Sequence, residues 1–133
     1  MRILADTNIL FSALLFPNSI VAKTLLYITR NHSLILCDQN IKELHEITKR
    51  KKPELSTDLE IFLVELGYEI IPSIYDYGKK LIRDATDQPI VNSAIVNEVD
   101  IILTGDKDFL AMDLDRPICM NVREFLERYN IKL

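Results

Sequence analysis

Residues 2–10 read RILADTNIL. Three apolar residues, Ile3, Leu4 and Ala5, run straight into Asp6, Thr7 and Asn8, and apolar residues resume at Ile9. Consecutive apolar positions over so short a run suit a strand buried on both faces, as in parallel sheets covered by helices. Such a strand, ending on a carboxylate, sets a charge at the rim of the sheet. Whether that charge has company depends on what the rest of the chain delivers to the same rim.

Working outward, the pattern recurs. SLILC (33–37), YEIIP (68–72) and IILT (101–104) read as further buried strands, and PICM (117–120) as a short fifth one. Helical sequence separates them: 9–15 and 20–30, then 40–50 with Ile41, Leu44 and Ile47 on one side, then 56–67 with its serine start and closing glycine. The stretches 75–85, 89–99 and about 121–129 also read as helices. Strands alternating with helices predict an α/β fold, a three-layer α/β/α sandwich around a central parallel sheet of four to five strands.

The chain of 133 residues is expected to form a single domain, residues 1–133, and its 48% apolar residues suffice for one core. No run of eighteen apolar residues exists, so no membrane-spanning helix is expected. The first residues lack a secretory pattern, which points to the cytoplasm. Cys37 and Cys119 stand alone in apolar runs and read as buried free thiols, without the spacing or histidine partners of a zinc site. The net charge of −4 argues against a protein that holds nucleic acid by charge alone. It leaves room for a nuclease whose acidic site is offset by bound cations. KRKK (49–52), and Lys79 and Lys80 with Arg83, are local basic clusters that read first as solvated helix ends.

In a parallel α/β sheet the functional crevice lies outside the carboxyl ends of the strands, at a topological switch point. After the first strand come Asp6, Thr7 and Asn8; after the second, Asp38 and then Glu43; after the fourth, Thr104, Gly105, Asp106 and Asp108. Asp87 heads the helix that feeds the fourth strand. Each has an ordinary alternative. Asp6 and Asn8 suit a helix cap. Glu43 stands three residues after Asn40, the spacing of a capping box. Asp106 suits a turn. Asp87 suits a cap before Pro89, yet it also continues the stripe Ile90, Val91, Ala94 and Ile95, where an unpaired carboxylate is costly to bury. Asp84, three residues earlier, competes with Asp87 for the same place.

Together, ADTNIL (5–10), NIKELHEI (40–47), DATDQPIVNSAI (84–95) and DIILTGDKDFL (100–110) resemble the PIN-domain family of ribonucleases over nearly the whole chain. The resemblance implies an α/β/α sandwich and an Mg²⁺- or Mn²⁺-dependent endonuclease acting on RNA. It implies catalytic and metal-binding acids at Asp6, Glu43, Asp87 and Asp106, with Asn8, Thr104 and Asp108 in support. Many small members, called VapC-like, are toxins held inactive by an antitoxin, and homodimers are common among them. An acidic crevice is a good receptor for an arginine, whose planar fork pairs with carboxylates. A small antitoxin is therefore expected to place a basic side chain among the four acids and a helix in an apolar groove walled by 9–15 and 20–30. The same apolar surplus suits plain core or a homodimer interface equally.

The residue types agree with that chemistry. Four acids without a histidine suit Mg²⁺ or Mn²⁺, hard cations that prefer oxygen. His32 and His45 fall in none of the motifs and read as surface or structural residues. A housekeeping RNA-processing nuclease of the same family is an alternative to a toxin. Two other classes share the acidic crevice. A haloacid-dehalogenase-like phosphatase wants a second aspartate at position 8, where this chain has Asn8. A receiver-like signalling domain, which is not an enzyme, wants paired acids after the first strand and a phospho-accepting aspartate after the third, where Asp76 is poorly placed.

Overall fold

The computed structural model describes residues 1–133. Strand β1 (Arg2–Ala5) lies at the centre of one parallel sheet, flanked by β2 (Ser33–Cys37) and β4 (Ile101–Leu103). Beyond them lie β3 (Glu69–Ile71) and β5 (Ile118–Met120), giving the order β3-β2-β1-β4-β5. The register pairs Ile3 with Leu34 on one side and with Ile101 on the other.

Alternate side chains of β1 go to opposite faces, as the strand period of two requires. Ile3 and Ala5 join one core with residues of α1 (Thr7–Leu15), α2 (Ile20–Asn31), α3 (Asp38–Lys51), α4 (Ser56–Glu65) and α7 (Val122–Arg128). Leu4 joins the other with Ile35, Ile102, α5 (Gln88–Val96) and the short α6 (Lys107–Leu110). The three layers are thus unequal: most of the helices cover one face, while α5, α6 and an irregular segment cover the other. No single helix is long and apolar enough to cross a membrane, and the apolar pair α1 and α2 is bent by 114° at its joint.

The strands and most helices fall within a few residues of the boundaries expected from the sequence. The helix expected over 75–85 does not form: residues 72–87 run as an irregular strap between β3 and α5. Gly78 adopts φ +63, outside the helical region. Only Ile82 of the expected helix is buried, so no apolar stripe holds it to the sheet. Instead Gln88 Oε1 accepts the N–H groups of Leu81 and Ile82 at 2.8 and 3.3 Å, and Asp84 closes a turn by accepting from Thr86 N at 3.0 Å. The basic residues Lys79, Lys80 and Arg83 therefore ride on a loop, not on a helix end. Lys49, Arg50 and Lys51 do stand in the last turn of α3, where cations favour the helix dipole.

Candidate active site

The sheet order reverses at β1. From β1 the chain winds outward through β2 to β3, then returns to place β4 on the other side. The carboxyl ends of β1 and β4 therefore flank the switch point, and Asp6 and Asp106 leave from those ends.

Asp6 is 5% exposed. It caps α1, one oxygen accepting from Ile9 N at 2.9 Å, while the other accepts from the hydroxyl of the fully buried Thr104. Capping and a place in the site are thus both met by one side chain. Thr104 Oγ1 also accepts from Asp106 N at 3.0 Å, so one hydroxyl ties the end of β1 to the turn after β4. Burial pushes the Asp6 carboxyl up, Thr104 and Ile9 draw it down, and Asp106 pushes it up again.

Glu43 does not cap its helix. Helix α3 begins at Asp38, and Asn40 is the third residue of its first turn. Asn40 Oδ1 accepts from Cys37 N at 3.2 Å, and its Nδ2 donates to Thr7 Oγ1 at 3.2 Å. The Thr7 hydroxyl donates in turn to Glu43 Oε1 at 3.3 Å. This chain of bonds holds the half-buried Glu43 over the end of β1. Burial raises its carboxyl, with Thr7 and Gln39 opposing. Asn40→Ala would leave the buried Cys37 N–H without a partner and free Thr7 from its donor. We expect a loss of about 1–3 kcal/mol in stability by urea denaturation, with an unchanged m-value.

Asp87 stands at the N-cap of α5 yet makes no side-chain capping bond. Its carboxyl is pushed up to about 7, first by burial and then by the charges of Asp84, Glu43, Asp106 and Asp6. Asp84 behaves differently. Its carboxylate accepts from both the amide and the hydroxyl of Thr86, at 3.0 and 2.7 Å, and these bonds hold its pKa below the ordinary value. Asp106 caps α6, accepting from Asp108 N at 2.8 Å.

Asp6, Glu43, Asp87 and Asp106 all line one cavity of about 220 Å³, together with Asn8 and Asp84. Asp108 contributes its amide to Asp106, but its side chain is not among those lining the cavity. No histidine or cysteine lines it. His32 meets the N-terminal amine at 3.1 Å and His45 pairs with Glu60 at 2.9 Å. Cys37 is buried and Cys119 partly so, both free, with burial pushing the Cys119 thiol up to about 12.

An all-oxygen donor set, with the carboxyls of Asp6, Glu43 and Asp87 raised first by burial, fits a hard divalent cation. No group of three of these side chains stands ready to hold an ion as placed, so binding would draw them inward. Thr7 and Asn40 were not singled out from the sequence as positioning residues. Their signal there is proximity to the strand ends, in ADTN and DQNIKE, and for Asn40 also its spacing of three from Glu43.

Comparison with known proteins agrees with this architecture. A family model described as PIN domain matches residues 2–108. The chain belongs to the PIN domain family, a family of nucleases, and that membership sets aside the phosphatase and receiver readings. Among solved structures it is similar to the crystal structure of VapBC2 from Rickettsia felis bound to a DNA fragment from their promoter. The two share a TM-score of 0.68 and 20% identity over 91% of this chain and 98% of the other, a likeness of fold. No curated protein matches in a sequence comparison.

Proposed function

We propose that this chain is a metal-dependent endoribonuclease and the toxin of a toxin–antitoxin pair. The observation that carries the reading is the convergence of Asp6, Glu43, Asp87 and Asp106 on one cavity at the switch point, with Asp87 raised to about 7 by burial and then by its acidic neighbours. Those four residues would hold Mg²⁺ or Mn²⁺. Such an ion, when bound, neutralises charge on the phosphodiester and supplies a water of lowered pKa. The chain's own part is positioning. Thr104 and Ile9 fix Asp6, the Thr7–Asn40 pair fixes Glu43, and the absence of a capping bond leaves Asp87 available. Residues 1–133 act in this reading as one PIN unit, with β5 and α7 completing the sheet beyond the matched segment.

An antitoxin partner is favoured by a second cavity, a groove of about 630 Å³ that begins at Thr104 and Gly105 beside the acids. Its apolar walls are Ile9 of α1, Ile20 and Val21 of α2, and Val122 and Leu126 of α7. Helices α1 and α2 are the walls expected from the sequence, and α7 adds a third. A partner helix lying there would bring a basic side chain within reach of the acids. The structural neighbour VapBC2 is suggestive of such pairing.

The test is cleavage of an end-labelled RNA of mixed sequence and of the matching DNA. Internal cuts in the RNA are expected with Mg²⁺ or Mn²⁺, and none in excess EDTA. Full activity in EDTA would overturn the metal dependence, and equal cutting of the DNA would overturn the substrate.

A further inference from the structure

The strap over 72–87 is pinned at both ends and open between. At its start Ser73 donates to Asp38 through both its amide and its hydroxyl, Ser93 Oγ donates to Pro72 O at 2.5 Å, and Asn92 Nδ2 donates to Ile74 O at 2.8 Å. At its end Ile82 is buried and Gln88 holds Leu81 and Ile82. Between these anchors every residue from Tyr75 to Lys80 is exposed. Tyr75 is 78% exposed and Tyr77 45%, a large apolar area to leave in water. Lys79, Lys80 and Arg83 are exposed as well, and none makes an ion pair.

The strap also borders the acid cavity. Gln39 Nε2 donates to Thr86 O at 2.6 Å, a bridge from α3 to the strap. A groove of about 360 Å³ adjoins that bridge, with Ser73 and Tyr75 on one wall and Glu43 on the other, and Glu43 lines the acid cavity too. Its acids, Asp38, Glu43 and Glu46, outnumber its one cation, Lys42, and disfavour a phosphate there, while Tyr75 offers a ring. Exposed aromatic faces beside unpaired cations are the two parts of a single-strand nucleic-acid platform: bases stack on the rings and phosphates meet the charges. In a duplex the base faces are already stacked and out of reach.

We propose that the strap Ser73–Arg83 is a landing track for single-stranded RNA leading into the acid cavity, with Tyr75 and Tyr77 stacking on unpaired bases and Lys79, Lys80 and Arg83 meeting phosphates. The proposal rests on the RNA reading of the site above. It explains how a chain of net charge −4 holds its substrate: the cations that matter are gathered on one loop beside the acids.

The test is binding of the full chain to a fluorescent single-stranded RNA 12-mer in EDTA, followed by anisotropy across a salt series. Tyr75→Ala is expected to weaken binding roughly 5- to 100-fold, the range of one base–aromatic stack. Changing Lys79, Lys80 and Arg83 together to Ala is expected to flatten the slope of log affinity against log salt by about 2, three phosphate contacts on a single strand. The control triple Lys49→Ala, Arg50→Ala and Lys51→Ala, at the far end of α3, is expected to leave both quantities unchanged. The wild-type chain is expected to bind the single strand in preference to a blunt duplex. Unchanged affinity in Tyr75→Ala with an unchanged salt slope in the triple, or equal binding of the duplex, would overturn the track. Strap-dependent binding by a wild-type chain that cuts no RNA with metal would uphold the track and overturn the nuclease reading.

Discussion

Asp6→Asn is expected to lower kcat/KM for RNA by at least ~10²-fold while leaving the fold in place. The substitution keeps size and shape, and an amide oxygen can still cap Ile9 N. What it removes is the negative charge between β1 and β4, at the side chain with the most constrained position in the cavity. The new amide group faces Thr104, whose hydroxyl already accepts from Asp106 N, so one hydrogen bond is weakened. The stability cost should therefore be near that of a single bond, about 1 kcal/mol, far too little to unfold the chain. Single-turnover cleavage of RNA under Mg²⁺, beside a circular dichroism melt, separates the two effects. A rate within threefold of wild type would remove Asp6 from the catalytic role.

The second large effect concerns metal and pH together. The Asp87 carboxyl has its ordinary value of 3.8 in the unfolded chain and about 7 in the folded one. Its pKa is raised on folding, so its contribution to stability is complete below the unfolded value and is lost as pH rises through about 7. The raised carboxyls of Asp6 and Glu43 act in the same direction. Metal-free protein should accordingly become less stable from roughly pH 4 to pH 7, and Asp87→Asn should flatten that decline. A bound cation reverses the trend, because it competes with the same proton and favours the ionised form. At a metal concentration of ~100 times Kd the melting temperature should rise on the order of 10 °C, with a larger rise at pH 8 than at pH 6. Thermal melts with Mn²⁺ or EDTA at the two pH values measure this directly. An undiminished metal shift in Asp87→Asn would show that the ion binds elsewhere.

The order of strands and most helices could be read from the sequence because each strand is built around a short apolar run, and most of those helices carry an apolar face. The acids could be read because parallel-sheet geometry turns position after a strand into position in space. The stretch 75–85 misled because its residues carry no local mark of the bonds from Gln88 to Leu81 and Ile82, nor of those from Asp38 and Asn92 that pin Ser73 and Ile74 just before it. Helix α6 is a single turn, too short to show a period. The Thr7–Asn40–Glu43 relay was invisible for a similar reason: its members are 33 and 36 residues apart and meet only when α1 and α3 pack. Asn40 at the start of a helical stretch reads as a cap, and it does bond the N-cap amide of Cys37 from the third position of α3, but nothing local shows that its other end also holds Thr7.

The central position of β1 has a consequence during synthesis. Ile3 pairs with Ile101, and Asp6 receives its hydrogen bond from Thr104. Strand β1 precedes β4 in the chain and therefore waits for it before its second edge is covered. Until the β4 segment and Asp106 have emerged, the four acids do not surround a common cavity. A growing chain therefore lacks the assembled acid cavity of its family and gains it only once β4 and the turn after it have emerged.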